Sequence, residues 1–573
     1  MGLHSWCPFP WTRIPPMITL SALLCLITAL PQAQETPPQN PRAEGHRLLK
    51  AEDWEGAAKV FRRLTSANDR DAFAWAALGR ALHSGGDLEG ALTAHARAAG
   101  FPQTAANGAY NAACACARLG RTDDAFQWLG KAAASGWGTR SVLRTDVDLE
   151  SLREDPRFKT VLPPLLEGPD LFVEKPRLLH TFVGEGAGDQ FGWVARAVGD
   201  LDGDGAIDFA ATAPSHKGWS GAAYVYSSRS GKLLFRVDGK PRSQLGNSVE
   251  GQGDVDGDGV DDVIIGAPGL GAAPGFVRVV SGKTGKALHE LSAGQAGDKF
   301  GTNVSAIEDL DGDGCAEVAC GAPGKGAGTV RVYSGKTGAL LHEIAGESVG
   351  DQFGISLDGT LGGGHKLLIV GASSAGARKA GSAYLYKLSA DGATLLGKLP
   401  AEAKGANLGQ YFAAFLGDVD GDGIPDAYVS DWGHACKGPA TGRAYVLSGA
   451  NGKLIKSIDG RRAGEGFGTS QAATGDVDGD GVADLCIGAW QNADVAKSAG
   501  KVYLVSGKTG ADLCTWTSRQ SGDTLGFDAV GLGDVDGDGN DDFLLTSAWS
   551  TVQQGRQGRV FIVAGPKLRP ETK

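Results

Sequence analysis

The chain lacks several features that would place it in common functional classes. Its 573 residues contain no run of lysine and arginine of the kind that binds nucleic acid, and the net charge is −11. One long apolar run is present, Met17–Leu30, and its 14 residues are too few for an ordinary membrane span. No other segment is apolar enough to cross a bilayer.

The apolar run is typical of the core of a signal peptide, which we predict over residues 1–33. Arg13 precedes the run, and the small residue Ala33 is the expected cleavage position. Pro31 fits the cleavage site poorly, so retention of the segment as a membrane anchor stays open. We therefore expect a secreted or extracytoplasmic protein, in the periplasm or at the cell surface, that contacts a membrane only if this segment is retained.

Cysteine is scarce and irregularly spaced. Beyond the signal peptide seven remain, at positions 114, 116, 315, 320, 436, 486 and 514. An odd number without framework spacing argues against a disulfide scaffold. We interpret Cys114 and Cys116 as small residues that pack between helices. No His/Cys set has zinc spacing and no Ser/His/Asp combination stands out, so we predict no catalytic residues and no enzyme.

What the chain has in abundance is glycine, 89 residues, together with one repeated acidic pattern. The pattern D-x-D-G-D-G-x-x-[D/E] occurs six times. Successive copies start 54–58 residues from one another, except for one gap of about twice that length. Its six copies span residues 200–208, 254–262, 309–317, 418–426, 476–484 and 534–542. Six matches at regular spacing indicate a repeat-built fold with a bound ion in most repeats.

Four carboxylates in one short loop converge only around a hard cation, and oxygen ligands in a flexible cage favour calcium over magnesium. The glycines at positions 4 and 6 allow the backbone to take positive φ and turn the carboxylates inward. By analogy with other acidic calcium loops, the carbonyl of position 7 is the expected extra ligand. The predicted ligands of about six calcium ions are Asp200, Asp202, Asp204, Ala206, Asp208, Asp254, Asp256, Asp258, Val260, Asp262, Asp309, Asp311, Asp313, Cys315, Glu317, Asp418, Asp420, Asp422, Ile424, Asp426, Asp476, Asp478, Asp480, Val482, Asp484, Asp534, Asp536, Asp538, Asn540 and Asp542. Six such ions would offset the net charge of −11.

A helical repeat precedes the acidic loops. Residues 43–135 repeat with a period of 34, and Ala57, Ala91 and Ala125 recur at one position. Two further positions recur as Gly45, Gly79 and Ala113, and as Leu48, Leu82 and Cys116. Three copies of this pattern resemble the tetratricopeptide repeat family, and we expect such a domain over residues 36–162, capped by a further helix at 146–162. The resemblance implies peptide or protein binding, and a spacer or assembly role stays open.

The proline-rich segment 163–176 is the expected linker, and from Arg177 onward short strands and turns take over. Most periods open near Phe-Gly, as at Phe191-Gly192 and Phe300-Gly301, and the second strand ends near Gly-Ala-Pro, as at Gly266–Pro268. With the acidic loops, these elements resemble the FG-GAP repeat family found in integrin alpha chains. The resemblance implies a seven-bladed β-propeller, over residues 177–566, with calcium in the loop that joins the first two strands of certain blades. Residues 567–573 form a tail.

The repeat count agrees with seven blades. A seventh period, without an acidic loop, begins at Phe353-Gly354 and carries DGTLGGGHK at 358–366, so we expect no metal there. The last period ends at its third strand, 558–565, and the segment 177–192 matches 286–301, which contains a fourth strand. We therefore predict that the first strand completes the last blade and closes the ring. The fold class is mainly β, a propeller behind a small all-α domain.

Two recurring motifs are interpreted as structural. Ser-Gly-Lys-Thr-Gly at 281–285, 334–338 and 506–510 lacks the spacing and the following helix of a phosphate loop, so we read these segments as hairpin turns and predict no nucleotide binding. His180, His289 and His342 recur at one strand position and are expected to serve the fold.

The most distinctive candidates for ligand binding lie after the second strands of the last three blades, where tryptophan replaces proline. These are Trp432, Trp490 and Trp549, with His434 beside the first. Neighbouring tryptophans suit a sugar ring or a protein hot spot, although each could instead pack on its own blade. We predict an exported calcium-binding protein for protein or glycan recognition or adhesion, with mainly structural calcium. A glycan-active enzyme, with Asp431 as the obvious rim carboxylate, and a purely structural envelope protein are the alternatives.

Overall fold

A computed structural model describes residues 40–135, 140–162, 166–470, 474–552 and 555–569. The predicted signal peptide falls outside these residues. Among them, no helix combines the length and the apolar character that a bilayer crossing requires.

Six helices form the N-terminal part, and each packs against the next one in sequence. They are α1 (Pro41–Lys50), α2 (Trp54–Ala67), α3 (Ala72–Ser84), α4 (Leu88–Ala99), α5 (Ala105–Arg118) and α6 (Thr122–Ala134). The recurring alanines Ala57, Ala91 and Ala125 are fully buried. Gly79 allows close approach, because a Cβ there would lie 2.4 Å from the ring of His95. The helical repeat seen in the sequence is thus compatible with a stack of paired helices.

The segment after α6 differs from the single helix expected over 146–162. It contains α7 (Arg140–Thr145), a 3₁₀ helix η1 (Val147–Leu152) and the one-turn helix α8 (Phe158–Val161). Pro156 lies between the last two, and a proline ring disfavours helical backbone in the residue before it. Leu149, Leu152 and Phe158 are nonetheless buried against α5 and α6, so the segment covers the end of the stack.

The remaining strands form seven sheets arranged as the blades of a propeller, which confirms the predicted fold. Blades one to four contain β2 (Ala195–Gly199), β3 (Asp208–Ala213), β4 (Ala222–Tyr226) and β5 (Leu233–Asp238); β6 (Ser248–Gly253), β7 (Asp262–Ala267), β8 (Pro274–Val280) and β9 (Ala287–Ala296); β10 (Val304–Ile307), β11 (Glu317–Ala322), β12 (Thr329–Tyr333) and β13 (Leu340–Ala345); and β14 (Phe353–Gly359), β15 (Leu367–Ala372), β16 (Ser382–Ser389) and β17 (Gly392–Pro400).

Blade five contains β18 (Ala413–Phe415), β19 (Ala427–Asp431), β20 (Arg443–Leu447) and β21 (Leu454–Asp459). Blade six contains β22 (Leu485–Ala489), β23 (Lys501–Val505) and β24 (Asp512–Thr517), and blade seven contains β25 (Ala529–Gly533), β26 (Asp542–Ser547), β27 (Arg559–Val563) and β1 (Leu178–Val183). First strands of neighbouring blades contact one another, as β2 does β6 and β25, so they line the central channel.

The ring closes as predicted, because β1 pairs antiparallel with β27 and supplies the outer strand of blade seven. The recurring histidines add contacts between blades. His180 Nε2 donates to the Arg229 carbonyl at 3.0 Å, from β1 to the hairpin of blade one. His289 and His342 make the same kind of contact, to the carbonyls of Gly335 and Ser389. These side chains therefore serve the fold.

The described part of the linker forms a strap over the last two blades. It includes a short 3₁₀ helix η2 (Gly168–Leu171), and both Leu171 and Phe172 are fully buried. The Phe172 ring packs edge-on against Phe561 at 5.2 Å. Val173 N–H donates to the Thr517 carbonyl at 2.9 Å. The strap thus attaches the chain to the propeller just before β1.

Candidate functional site

The six acidic loops lie at one end of the propeller, each directly before the second strand of its blade. Both glycines of every loop have positive φ, between 76° and 87°, as in Gly203 and Gly205 of the first loop. An L side chain at these positions would be strained, which explains why glycine stands there. The conformation predicted from the pattern is therefore the same in all six loops.

Each loop is built around the carboxylate at position 1. In the first loop, Asp200 Oδ1 accepts the N–H groups of Gly203 and Asp204, and Oδ2 accepts that of Gly205 at 2.9 Å. The N–H of Ala206, at position 7, donates to Asp204 Oδ1 at 2.9 Å. These bonds wrap the backbone around the acidic side chains, so the carboxylates face one point and their charges lie close together.

Position 9 attaches the loop to its blade. Asp208 is fully buried, and its two oxygens accept the N–H groups of Leu201 at 2.9 Å and Ser228 at 3.1 Å. Ser228 belongs to the turn between the third and fourth strands, so this carboxylate connects two turns of the blade. Asp262, Asp426, Asp484 and Asp542 repeat both bonds in their own blades.

Glu317 is the exception at position 9. Its Oε1 accepts the Leu310 N–H at 2.7 Å, but Oε2 is buried and has no hydrogen-bond partner. Burial raises the pKa of Glu317 to about 7, and raises the pKa of Asp208, Asp262, Asp426 and Asp542 to about 6. A buried oxygen without a donor, beside other carboxylates, is where a cation would be stabilising.

The donor sets fit a hard divalent cation. In at least four loops, one oxygen from each of positions 1, 3 and 9 lies within 4.8 Å of the others, as for Asp309, Asp311 and Glu317. All these donors are oxygen, which suits calcium or magnesium better than a thiophilic metal. Bound there, a cation would neutralise the carboxylates and hold the loop to its blade.

The Ser-Gly-Lys-Thr-Gly segments lie in the turns that join the third and fourth strands, as predicted for hairpins. Their lysines reach the acidic loop of the same blade. Lys336 Nζ donates to the Asp313 carbonyl and Lys508 Nζ to the Asp480 carbonyl, each at 3.1 Å. In blade seven Arg177 takes this place and pairs with the carboxylates of Asp536 and Asp538. The motif thus supports the acidic loops.

Blade four departs from the pattern in the way that the sequence indicated. Asp358 lies near the end of the inner strand β14 and accepts Ser305 Oγ–H at 2.9 Å and Phe415 N–H at 2.7 Å. Its carboxylate is therefore used inside the channel rather than in a loop.

A cluster of aromatic side chains, which we term the aromatic mouth, lies at the end of the propeller opposite the acidic loops. It consists of Trp193, Tyr411, Trp432, Trp490, Phe527 and Trp549. Trp490 stacks on Trp549 with ring centroids 5.6 Å apart, and Trp432 lies 6.4 Å from Trp490. All members except Phe527 are half-buried. The three predicted tryptophans therefore contact one another across blades.

Three members of the aromatic mouth were missed in the sequence. Trp193, Tyr411 and Phe527 lie just before the inner strands of blades one, five and seven. Phe527 is the centre of the cluster, with ring centroids 4.7 Å from Trp193 and 4.8 Å from Trp549. The available signal was an aromatic residue one or two places after the Phe-Gly position, as in Phe191-Gly192-Trp193.

His434 and Asp431 lie beneath the surface, unlike the neighbouring tryptophan. The sequence predicted that His434 lies at the ligand-binding rim. Its side chain is only 1 % exposed, so the ring does not reach the surface there. Asp431 is fully buried and accepts the N–H groups of Ala406 at 2.9 Å and Asn407 at 3.0 Å. Its carboxylate thus holds the loop that enters blade five.

Four charged side chains meet in the channel below the aromatic mouth, and we term them the channel cluster. They are Arg196, Glu250, Asp358 and Asp528. Arg196 forms an ion pair with Asp528, while its Nε lies 3.8 Å from Glu250 Oε2. Arg196 is thus within ion-pair distance of two carboxylates, and it also acts electrostatically on the third, Asp358. Burial, and then the nearby Asp358, raise the pKa of Glu250 to about 8, and burial raises the pKa of Asp358 to about 6.

We expect the folded protein to lose stability as the pH rises from about 5 to about 8, because Glu250 is protonated in the fold at pH values where the unfolded chain is ionised. Because the pKa of Glu250 is higher in the folded protein, its protonation contributes to the free energy of unfolding. This contribution is complete below the unfolded-state pKa of 4.5 and is lost as the pH rises through the folded-state pKa of about 8. Glu250→Gln should therefore be more stable than wild type at pH 9, by on the order of 3 kcal/mol. Chemical denaturation in saturating calcium at several pH values measures this difference.

Glu290→Gln is the matched control. Lys240 and Arg278 lower the pKa of Glu290, so its amide should bring no stabilisation at high pH. If the stability of Glu250→Gln follows the wild-type pH curve, the channel cluster does not hold a proton at Glu250.

Comparison with known proteins is consistent with this architecture. The family model for the FG-GAP repeat matches residues 248–283 and 300–333. Integrin alpha-PS5 of Drosophila melanogaster is 34 % identical over 27 % of this chain and 17 % of its own length. Integrin alpha-PS2 of the same organism is 34 % identical over 28 % of the chain and 12 % of its own length, and integrin alpha-6 of Gallus gallus is 34 % identical over 25 % and 14 %. Two segments of the chain thus match the FG-GAP repeat, and about a quarter of the chain is similar to integrin alpha chains. The chain spans less than a fifth of the length of these relatives.

Proposed function

We propose that this chain is an exported, calcium-stabilised recognition protein that binds a protein or glycan at its aromatic mouth. The observation that carries the proposal is the position of five half-buried aromatic rings on four neighbouring blades, at the end of the propeller away from the acidic loops. Tryptophan and tyrosine give large contact areas with little loss of side-chain entropy, and they dominate binding hot spots.

The six acidic loops are proposed to bind calcium as a structural ion. Five of the six loops connect two turns of their own blade through the aspartate at position 9, and none of the loop carboxylates belongs to the aromatic mouth. Calcium would therefore act on stability first, and on recognition through the shape of the ring. Export is supported by the apolar run Met17–Leu30 and by the similarity to integrin alpha chains.

The proposed function is not enzymatic. A glycan-active enzyme at this end of the propeller would need an accessible pair of carboxylates near the rings. Asp431, the obvious candidate, is fully buried and already accepts two backbone N–H groups. The arrangement of the aromatic rings favours binding of a ligand surface over catalysis of bond cleavage.

A pull-down from the extracytoplasmic fraction of the native cell, followed by glycan-array binding, tests this function. The partner should be retained by wild type in calcium and lost by a variant in the aromatic mouth. If wild type and the variant retain the partner equally, the aromatic mouth is not the binding site. Turnover of a bound glycan would instead support the enzymatic alternative.

The triple variant Trp432→Ala, Trp490→Ala and Trp549→Ala is expected to weaken binding of the captured partner by at least about 100-fold. Each buried hot-spot tryptophan contributes roughly 2 kcal/mol or more, and the three rings form one contact surface. Surface plasmon resonance with the purified partner measures the loss.

Trp128→Ala is the control for this experiment, because Trp128 is also half-buried but lies in α6 of the helical stack. It should leave the affinity unchanged if recognition belongs to the propeller alone. Unfolding of the triple variant at room temperature would show instead that the three rings act as core, and Trp549→Phe then keeps a ring in place for the binding assay.

A further inference from the structure

A second group of metal-ligating side chains lies in the helical part, far along the chain from the acidic loops. It joins His83 at the end of α3, Cys114 in α5, and Asp146 and Asp148 at the start of η1. Cys114 Sγ and one oxygen of each aspartate lie within 4.8 Å of one another. His83 Nε2 lies 2.9 Å from Asp148 Oδ2, so a fourth donor reaches the same place.

Two buried histidine nitrogens at this place lack hydrogen bonds. His83 Nε2 is buried, and although it is close to Asp148 it makes no hydrogen bond of acceptable geometry. His95 is 1 % exposed, its Nδ1 is also unpartnered, and its ring centroid is 6.0 Å from that of His83. A buried imidazole nitrogen that faces a carboxylate without a well-formed hydrogen bond marks a position where one shared cation would satisfy both groups.

The other contacts of the aspartates act as supports. Arg118 Nη1 donates to Asp148 Oδ1 at 3.0 Å, and the Tyr110 hydroxyl donates to an oxygen of Asp146. The Asp148 N–H also donates to Asp146 Oδ1 at 3.0 Å, so every oxygen of the two carboxylates has a partner. A carboxylate oxygen has a second lone pair, so such partners orient the carboxylates and still leave acceptor sites, as outer-sphere residues do around bound metals. Cys114 Sγ is 3.8 Å from Asp146 Oδ2, a weak contact that a metal–sulfur bond would replace.

The chemistry of the donors separates this group from the acidic loops. The loops offer only oxygen, whereas a thiolate, an imidazole and two carboxylates suit a borderline-soft divalent metal that accepts four ligands. Burial and the two aspartates raise the pKa of the Cys114 thiol, which favours the protonated form while no cation is bound.

We propose that His83, Cys114, Asp146 and Asp148 bind one zinc-class divalent cation. On binding, the Cys114 thiol releases its proton to solvent and the sulfur lone pair forms the metal–sulfur bond, with no change of oxidation state. The ion joins α3, α5 and the segment that begins η1, so it fastens the covering segment to the last helices of the stack.

Cobalt(II) added to the full-length protein in saturating calcium tests the site, because calcium then occupies the oxygen-only loops. One equivalent of cobalt should bind with a thiolate-to-cobalt absorption band and with ligand-field bands of four-coordinate intensity. Added zinc should displace the cobalt and abolish both signals. Cys114→Ser should lose the thiolate band, and Asp148→Asn should weaken cobalt binding at least about tenfold.

Cys116→Ser is the matched control, since Cys116 is fully buried in the same helix but does not belong to the group. It should keep the band. The proposal is overturned if wild type shows no thiolate band, or if Cys114→Ser keeps it. Should Cys114→Ser fail to fold, Asp148→Asn decides: unchanged cobalt affinity in that variant would leave the four side chains as a hydrogen-bonded cluster.

Discussion

Chelation of calcium is expected to lower the melting temperature of the propeller by roughly 10 °C or more. At a tenfold excess of calcium over the dissociation constant, each site adds roughly 1.4 kcal/mol, so six sites add roughly 8 kcal/mol. The physical reason lies in position 9 of the loops. Buried carboxylates such as Asp208 and Glu317 are costly to ionise unless a cation neutralises them. Differential scanning calorimetry in millimolar calcium and in EGTA measures the shift.

Variants in the second loop sharpen this experiment. Asp254→Asn removes the carboxylate that organises the loop, and calorimetric titration should find one calcium ion fewer. Asp261→Asn is the control, because position 8 is not among the converging oxygens. Magnesium should restore less stability than calcium, since it requires a tighter octahedron. An identical melting temperature with and without EGTA would remove the metal interpretation.

Removal of β1 is expected to prevent stable folding of the propeller. A chain that begins at Gly184 lacks the strand that pairs with β27, and it also lacks the buried Leu171 and Phe172 of the strap. The exposed edge of β27 carries unpaired backbone groups, and such edges promote aggregation. Size-exclusion chromatography should show aggregates or loss of soluble protein, while a chain that begins at Leu166 should stay soluble and melt cooperatively.

An intermediate variant separates the strand from the strap. A chain that begins at Lys175 keeps β1 and loses the strap, so it should fold with a lower melting temperature. Phe172→Ala in the full chain should cost about 3–5 kcal/mol, because the ring is fully buried against Phe561. Equal melting temperatures for the chains that begin at Gly184 and Leu166 would show that ring closure contributes little.

The repeats explain how much of the fold could be predicted. Seven blades follow from counting periods, and the closure follows from the match between 177–192 and 286–301. The expected helix at 146–162 was wrong because Pro156 interrupts a segment that has no repeat to compare with. The prediction put His434 at the rim because it lies among the rim tryptophans in the sequence and does not recur in other repeats, whereas in the structure its ring is buried in the loop after β19.

The candidate sites also differ in whether they are local in the sequence or assembled from distant residues. An acidic loop is contained in nine consecutive residues, so its candidate ligands could be named from spacing and glycine positions. The aromatic mouth is assembled from residues on four blades and from two regions of the repeat. Trp432, Trp490 and Trp549 follow the second strands, whereas the other three members precede the first strands. Trp193, Tyr411 and Phe527 could not be assigned to it without knowing which inner strands are neighbours.

By itself, the sequence determined the repeat number, the class of fold and the oxygen-only chemistry of the acidic loops. These are local properties, set by residue types at short spacing and repeated often enough to exclude chance. The tertiary structure alone decided which distant side chains meet. Arg196 and Asp528 are 332 residues apart and share an ion pair because the ring closes between blades one and seven. Cys114, which spacing assigned to helix contacts, faces Asp146 because η1 packs against α5, and no local pattern connects side chains on these two separate elements.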